Sequence, residues 1–372
     1  MCMAAGTCPA VLPAPPMALI VVACEAMEKT MFLRNAWYTA IWSKDLEDAP
    51  IARTVIGEKI VLFRGPGGVP AALEDRCCHR AAPLSRGKVV EGALQCGYHG
   101  LKYNAAGQCI EVPVQTTIPP GARVRSYPVR EKWNVVWIWM GDPEKADEAL
   151  ITPLPWLDDP AWKVTPGYLH IEANGQLLVD NLLDFSHVTY LHPKTLAGDP
   201  REAVTPVKTE RQKDGLRVGR WMVDFEPPPL FAQAGGFNGM CDRWQFANWR
   251  PPALVFMDVG LAPTGTGAPE GDRSKGISIW STHMITPETE TSCHYHFGFA
   301  RDFRIDDEAM SKFLYDGAVT TFLEDKGMIE AQQRALDGGS IDGLVDINAD
   351  TAQLQARRML DELIRAENPS RA

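Results

Sequence analysis

The chain has 372 residues, 45% hydrophobic and 23% charged, an ordinary globular composition with length for two domains of about 150 residues. Its 37 basic and 47 acidic residues leave a net charge of −10, which argues against nucleic acid and anionic membranes as partners. Nine cysteines are too sparse for a disulfide scaffold. A reducing, cytoplasmic setting is therefore expected, and clustered cysteines become candidate metal ligands.

Residues 1–30 are small, apolar and Pro-rich, and read as a disordered extension or a misplaced start. Their apolar run, Met17 to Cys24, is eight residues long, whereas a membrane span takes about 20. No Lys or Arg precedes Lys29, so a signal peptide is not expected. From about residue 31 to 145 the pattern is short β segments with turns between them. Ile60-Val-Leu-Phe63 is a strand, stopped by Gly65-Pro66-Gly67-Gly68 and resumed at Val69 to Leu73, as in a hairpin. Within this stretch lie Cys77-Cys78-His79-Arg80 and, with sixteen residues between His79 and Cys96, Cys96-Gly97-Tyr98-His99-Gly100. Each loop offers one Cys and one His. A Rieske [2Fe–2S] cluster requires that stoichiometry, two thiolates on one iron and two imidazoles on the other. The rival is a structural Cys₂His₂ zinc site, but zinc fingers pair Cys with Cys and His with His. Cys77, His79, Cys96 and His99 are thus the candidate cluster ligands, and Cys78 and Cys109 read as spectators. Glu111 to Pro128 is Pro-rich and reads as an extended loop, and Trp133 to Met140 is β-branched and aromatic, the pattern of a strand.

From 150 to 372 the character changes to a larger α+β domain. Leu177 to Leu191 predicts one helix ended by Pro193. It carries Asp180, Asn181, Asp184 and His187, with His192 just beyond, and such groups are costly on an apolar face unless satisfied. His187 and His192 are five apart, about 140° around a straight helix, so both reach one metal only if the helix widens or ends between them. Residues 205–300 return to strands, among them Leu254–Gly260 and Cys293–Phe297. Helices are expected over 306–337 and 350–366. In the first, Ala318, Thr321, Phe322, Met328, Ile329 and Leu336 form one apolar stripe with Asp325 inside it, while Glu324 and Lys326 flank it and can reach water. Asp325 is the candidate carboxylate of a 2-His-1-carboxylate iron site.

A Rieske pattern followed by Asp184-x-x-His187-x-x-x-x-His192 and a late helical Asp325 resembles the terminal oxygenase component of Rieske non-haem iron aromatic oxygenases. Phe32-Leu-Arg-Asn-Ala-Trp-Tyr38, Trp137-Ile-Trp-Met-Gly-Asp-Pro143 and Thr286-Pro-Glu-Thr-Glu290 are similar to the group of vanillate O-demethylase, dicamba monooxygenase and toluenesulfonate methyl-monooxygenase. The resemblance implies an all-β Rieske domain, then a catalytic domain with a central antiparallel sheet of helix-grip type. It implies two cofactors, a [2Fe–2S] cluster and a mononuclear Fe(II) held by His187, His192 and Asp325. Asp184 and Asn181 take catalytic roles. Asp184 links His187 to His99 of a neighbouring chain in a homotrimer, and Asn181 lies near the iron. The implied partners are O₂, a small aromatic acid and a flavin- and ferredoxin-type reductase fed by NADH. Hydroxylation of a methoxy methyl would then release formaldehyde, with vanillate the leading substrate type; hydroxylation of an aryl methyl is the alternative, and a pure electron carrier a third reading. His283 and Trp249 are candidate substrate contacts, with Arg243 and Arg250 as candidate cations for the acid group. By this comparison a chlorinated methoxybenzoate is not the favoured substrate.

Overall fold

The computed structural model describes residues 32–337 and 344–367; the expectation for residues 1–30 lies outside them. Alternating apolar residues and tight turns in the first part give three small antiparallel sheets. One pairs Trp37–Trp42 with Val135–Trp139 and Val129–Lys132, a second runs Ile51–Val55, Glu58–Arg64, Pro70–Glu74 and Ser126–Tyr127, and the third comprises Lys88–Val90, Ala93–Gln95, Lys102–Tyr103 and Cys109–Glu111. The expected hairpin through Gly65–Gly68 is present. The strand expected over Trp133 to Met140 begins two residues late. Trp133 and Asn134 both take positive φ, 60° and 58°, and form the two-residue turn between Val129–Lys132 and Val135–Trp139. That mirror-image turn suits the twist of a hairpin, and a Trp in it is a signal that composition hides.

The second part is built on one seven-stranded antiparallel sheet. Its strands are β1 (Lys163–Ile171), β2 (Lys208–Gln212), β3 (Gly215–Phe225), β4 (Cys241–Arg250), β5 (Leu254–Pro263), β6 (Ile277–Thr289) and β7 (Ser292–Arg301), in the spatial order β1-β7-β6-β5-β4-β3-β2. The helices are α1 (Gly175–Leu183), α2 (Val188–Leu191), α3 (Pro229–Gly235), α4 (Glu308–Asp337) and α5 (Thr351–Glu367). Helix α4 sets Ala318, Phe322 and Ile329 into the same core as Trp249, Val255, Tyr295 and Phe297 of the sheet and Leu178 and Leu182 of α1. The sheet is thus gripped on one face by helices, as the helix-grip expectation requires.

The other face packs on the first domain. Trp37, Trp42, Trp137 and Trp139 share a core with Trp156, Leu254, Phe256 and Met284. The indole of Trp42 donates to the Gly167 carbonyl at 3.0 Å, and the Thr286 hydroxyl donates to the Thr39 carbonyl at 2.7 Å. At Gly167 a Cβ would lie 2.1 Å from the Phe297 ring of β7, so only glycine lets that ring cross strand β1. No helix among the described residues is long and apolar enough to cross a membrane.

Candidate metal centres and substrate cavity

The two Cys/His loops are copies of one turn. The Cys77 amide donates to the Ala82 carbonyl at 2.8 Å and the Ala81 amide to Cys77 at 2.9 Å; Cys96 pairs with Leu101 at 2.8 Å and Gly100 with Cys96 at 3.1 Å. The fourth residue after each Cys has positive φ, 54° at Ala81 and 75° at Gly100, which costs a non-glycine residue and marks a turn held by its surroundings. In both loops the thiol is buried and the imidazole exposed. The rings of His79 and His99 meet at 4.6 Å. Burial raises the Cys96 thiol, and Cys77 beside it raises it further, against the opposing pull of the Tyr98 and His99 amides. Two buried thiols side by side, beneath two paired imidazoles, are the donor set that a Rieske cluster requires. The Tyr103 hydroxyl lies 3.1 Å from the Cys77 sulfur and 3.2 Å from that of Cys78, so Cys78 shares a hydrogen-bond partner with a candidate ligand.

The single helix expected over Leu177 to Leu191 is broken. Asp184 takes an extended backbone (φ −104°, ψ 117°) and ends α1. Its carboxylate accepts the Ser186 amide at 2.6 Å, a local bond that competes with helical continuation. One turn, α2, then follows, with His187 capping its start and His192 its end. The break answers the 140° problem. The two rings stand 5.3 Å apart at 80°, and Asp325 Oδ1 lies 3.6 Å from His187 Nε2 and 3.1 Å from His192 Nε2. Ligand atoms of all three residues fall within 4.8 Å of one another.

Two imidazoles and one carboxylate converging this closely are the donor set of a facial triad. Burial lowers His187 below the usual range despite the opposing charges of Asp325 and Asp184, which keeps its ring in the ligating neutral form. At His192 burial also acts downward, but Asp325 and then Glu324 outweigh it. Glu324 reaches water as expected, its side chain 33% exposed, and also holds His192 Nδ1 at 2.7 Å, fixing the tautomer that leaves Nε2 free for a metal. The Asn181 amide donates to Asp325 Oδ1 at 3.0 Å. Among the described residues His187 Nδ1 is buried without a partner. Asp180 takes no part, being paired with Arg357 on α5.

A cavity of about 100 Å³ opens beside these residues. Its floor is the helix-facing side of the sheet, whose register sets cross-strand rows. One row runs Arg220, Gln245, Val259, Ile279; the next runs Val218, Ala247, Met257, Ser281, Phe299. The lining is mostly apolar, with Phe185, Leu230, Phe231 and Phe322 closing it. His283 lines it with both nitrogens engaged, Nε2 to the Ser281 hydroxyl at 2.8 Å and Nδ1 to the Tyr295 hydroxyl at 2.6 Å. Burial brings its pKa down to about 3, so the ring is neutral.

Residues 36–128 match the Rieske [2Fe–2S] domain family, and residues 171–366 match the family described as the vanillate O-demethylase oxygenase C-terminal domain. The chain is 45% identical over 343 residues to the toluene-4-sulfonate monooxygenase system iron–sulfur subunit of Comamonas testosteroni, covering 91% of this chain and 99% of that one. The chain belongs to the Rieske non-haem iron oxygenases. The oxygenase is also 37% identical to the vanillate O-demethylase oxygenase subunit of a Pseudomonas strain, covering 91% and 96% of the two chains. It superposes on a crystal structure of dicamba monooxygenase bound to 3,6-dichlorosalicylic acid with TM-score 0.85 at 35% identity, over 90% of this chain and 98% of that one.

The oxygenase is therefore an oxidoreductase of the monooxygenase class whose cofactors are a Rieske cluster and mononuclear iron, and it works with a reductase partner. The other three candidate substrate contacts are placed differently from one another. Trp249 is fully buried in the core of the grip and does not line the cavity. Arg250 pairs with Asp214 and lines a separate cleft. Arg243 does line the cavity, but its charge is already matched by Glu202 at 2.6 Å. Sequence reasoning passed over Arg220, Gln245, Ser281 and Glu324. Strand alternation places Gln245 on the same face of β4 as Arg243 and Ala247, but only the register shows that this face is covered.

Proposed function

We propose that this oxygenase hydroxylates a methyl carbon of a small aromatic acid, with O-demethylation of a methoxylated benzoate such as vanillate as the first reading. The observation carrying it is the apolar cavity laid directly against the His187, His192 and Asp325 donors. In this reading His187, His192 and Asp325 hold the iron, and Cys77, His79, Cys96 and His99 hold the cluster. The bound iron supplies oxygen activation with electrons from the cluster. The protein's own residues do the rest. Asn181 and Glu324 orient the donor set, Phe185, Phe231 and Phe322 exclude water from the ring, and the sheet fixes which carbon faces the donors. The space of about 100 Å³ is below the roughly 150 Å³ of an apolar cavity that holds benzene, so it admits one ring at most.

Asp184 is assigned the link from His187 to His99 of a neighbouring chain in a homotrimer. Its half-buried position beside the cavity and the exposed Tyr98–His99 pair, rings 3.8 Å apart, support that assignment. Light scattering on the holoenzyme should then give three chains per particle. The remaining assignments are a flavin- and ferredoxin-type reductase, a cytoplasmic setting, and domain limits at 31–145 and 150–372. Hydroxylation of an aryl methyl is the second reading, favoured by the 45% identity to the toluene-4-sulfonate relative against 37% to the vanillate one. Turnover of vanillate and of 4-toluenesulfonate with a reductase and O₂ separates the two. Formaldehyde with a phenol supports the first and a benzylic alcohol the second, and O₂ uptake with neither substrate defeats both.

A further inference from the structure

Strands β3 and β4 place four polar side chains on the floor of the otherwise apolar grip: Arg220, Arg243, Gln245 and, from the segment before β2, Glu202. All four are buried. Arg243 and Glu202 form an ion pair at 2.6 Å, and Arg243 also donates to the Leu196 carbonyl at 3.1 Å. Arg220 is different. It makes no ion pair among the described residues, its Nη1 is taken by the Glu202 carbonyl, and its Nη2 is buried without a partner. Burial first, and then the charge of Arg243, bring its pKa down to about 10, with Glu202 and Asp184 acting the other way, so it stays a cation at neutral pH. A buried cation without a direct counter-ion is expensive, and the energy of keeping one calls for an explanation.

Arg220 and Gln245 sit directly across the strand pair. Arg220 Nε donates to Gln245 Oε1 at 2.9 Å, which fixes the amide with its oxygen turned toward the guanidinium. Gln245 Nε2 then has no partner among the described residues, although Gln245 is only 5% exposed and lines the cavity. A donor presented to an apolar cavity and polarised by a cation behind it is suited to an oxyanion.

We propose that Gln245 Nε2 binds the carboxylate or sulfonate of the substrate, and that Arg220 is the positioning residue that orients this amide and supplies the compensating charge. The assignment rests on the reading of the cavity as an aromatic-acid site. It places the acid group over β3 and β4, so the other end of the ring is directed toward β6, where Ser281 and His283 form the remaining polar point of the floor.

The test is equilibrium binding to the iron-loaded holoenzyme without O₂, using vanillate and 4-toluenesulfonate against vanillamide and 4-toluenesulfonamide. Wild type should prefer each acid over its amide. Q245L should weaken acid binding by about ten- to a hundredfold and amide binding by a few-fold at most. R220M should do the same, R220K should recover most of the lost affinity, and in turnover KM should rise with little change in kcat. Acid binding unchanged in Q245L, or acid and amide weakened equally, overturns the assignment. Q245L leaves Arg220 in place and decides the matter alone if R220M does not fold. A wild type that shows no preference for the acids overturns the aromatic-acid reading and this assignment together, whereas a preference that survives Q245L overturns this assignment only.

Discussion

Asp325 is contacted at once by His192, His187 and Asn181, and a carboxylate 5% exposed on the apolar stripe of a helix is tolerable only with such company. Asp325→Ala should remove one iron per chain and abolish substrate-dependent O₂ uptake while leaving the visible cluster spectrum unchanged; loss of the cluster spectrum would mean the residue holds the fold rather than the metal. At the other centre, the Tyr103 hydroxyl reaches the Cys77 sulfur. Hydrogen bonds to the sulfurs tune such a potential, and one net bond of about 0.5–1.5 kcal/mol corresponds to about 20–60 mV for one electron. Tyr103→Phe should lower the midpoint by that amount in a spectroscopic redox titration. At this scale the ligand types were legible because few other patterns in the chain combine Cys with His, or bury an Asp in an apolar stripe. Arg220 and Gln245 were not legible, because a polar residue in a strand reads as solvent-facing until the register shows which face is covered.

The site depends on elements that stop at the right residue. Had α1 continued through Asp184, His187 and His192 would point in different directions; the extended Asp184 and its bond to Ser186 prevent that. The sequence showed that the two histidines required a break but not where, since Asp184 itself is the terminator and Pro193 had claimed that role. A second such element is the segment Pro200–Val204, which carries Glu202 beneath the cavity. Asp199 caps it, accepting the Arg201 amide at 2.8 Å, and its bonds to Arg201 hold its pKa down at about 2 against an ordinary 3.8. A carboxyl depressed in the folded state contributes stability that is present above its unfolded pKa and lost as pH falls through the folded value. The Asp199 contribution therefore fades between about pH 4 and 2. Asp199→Asn should lower the thermal midpoint at pH 7, and the gap to wild type should narrow when both are measured near pH 3. A gap independent of pH would point to shape rather than charge.

Across the whole molecule the two domains were legible as a change from strand-and-turn punctuation to long amphipathic stretches. Their joint was not, because a Trp-rich interface looks in sequence like two separate cores. Helix α5 adds a contact no local pattern announces: Leu360 and Ile364 pack against the first domain's core. At its end the Glu367 carboxylate accepts the backbone amides of Arg34 at 2.9 Å and Asn35 at 2.6 Å. Charged hydrogen bonds of this kind are worth about 1.5–3 kcal/mol. Glu367→Ala should accordingly speed limited proteolysis near residues 32–36 and lower the urea midpoint, with the cluster spectrum and turnover at low temperature preserved.

That same contact orders the birth of the protein in time. Arg34 and Asn35 leave the ribosome more than 300 residues before the carboxylate that secures them. At the roughly 5–20 residues per second of bacterial and eukaryotic synthesis, the first domain waits at least some fifteen seconds with one side of its core uncovered. For that interval the loops of Cys77 and Cys96 belong to a domain whose core is not yet closed by Leu360 and Ile364.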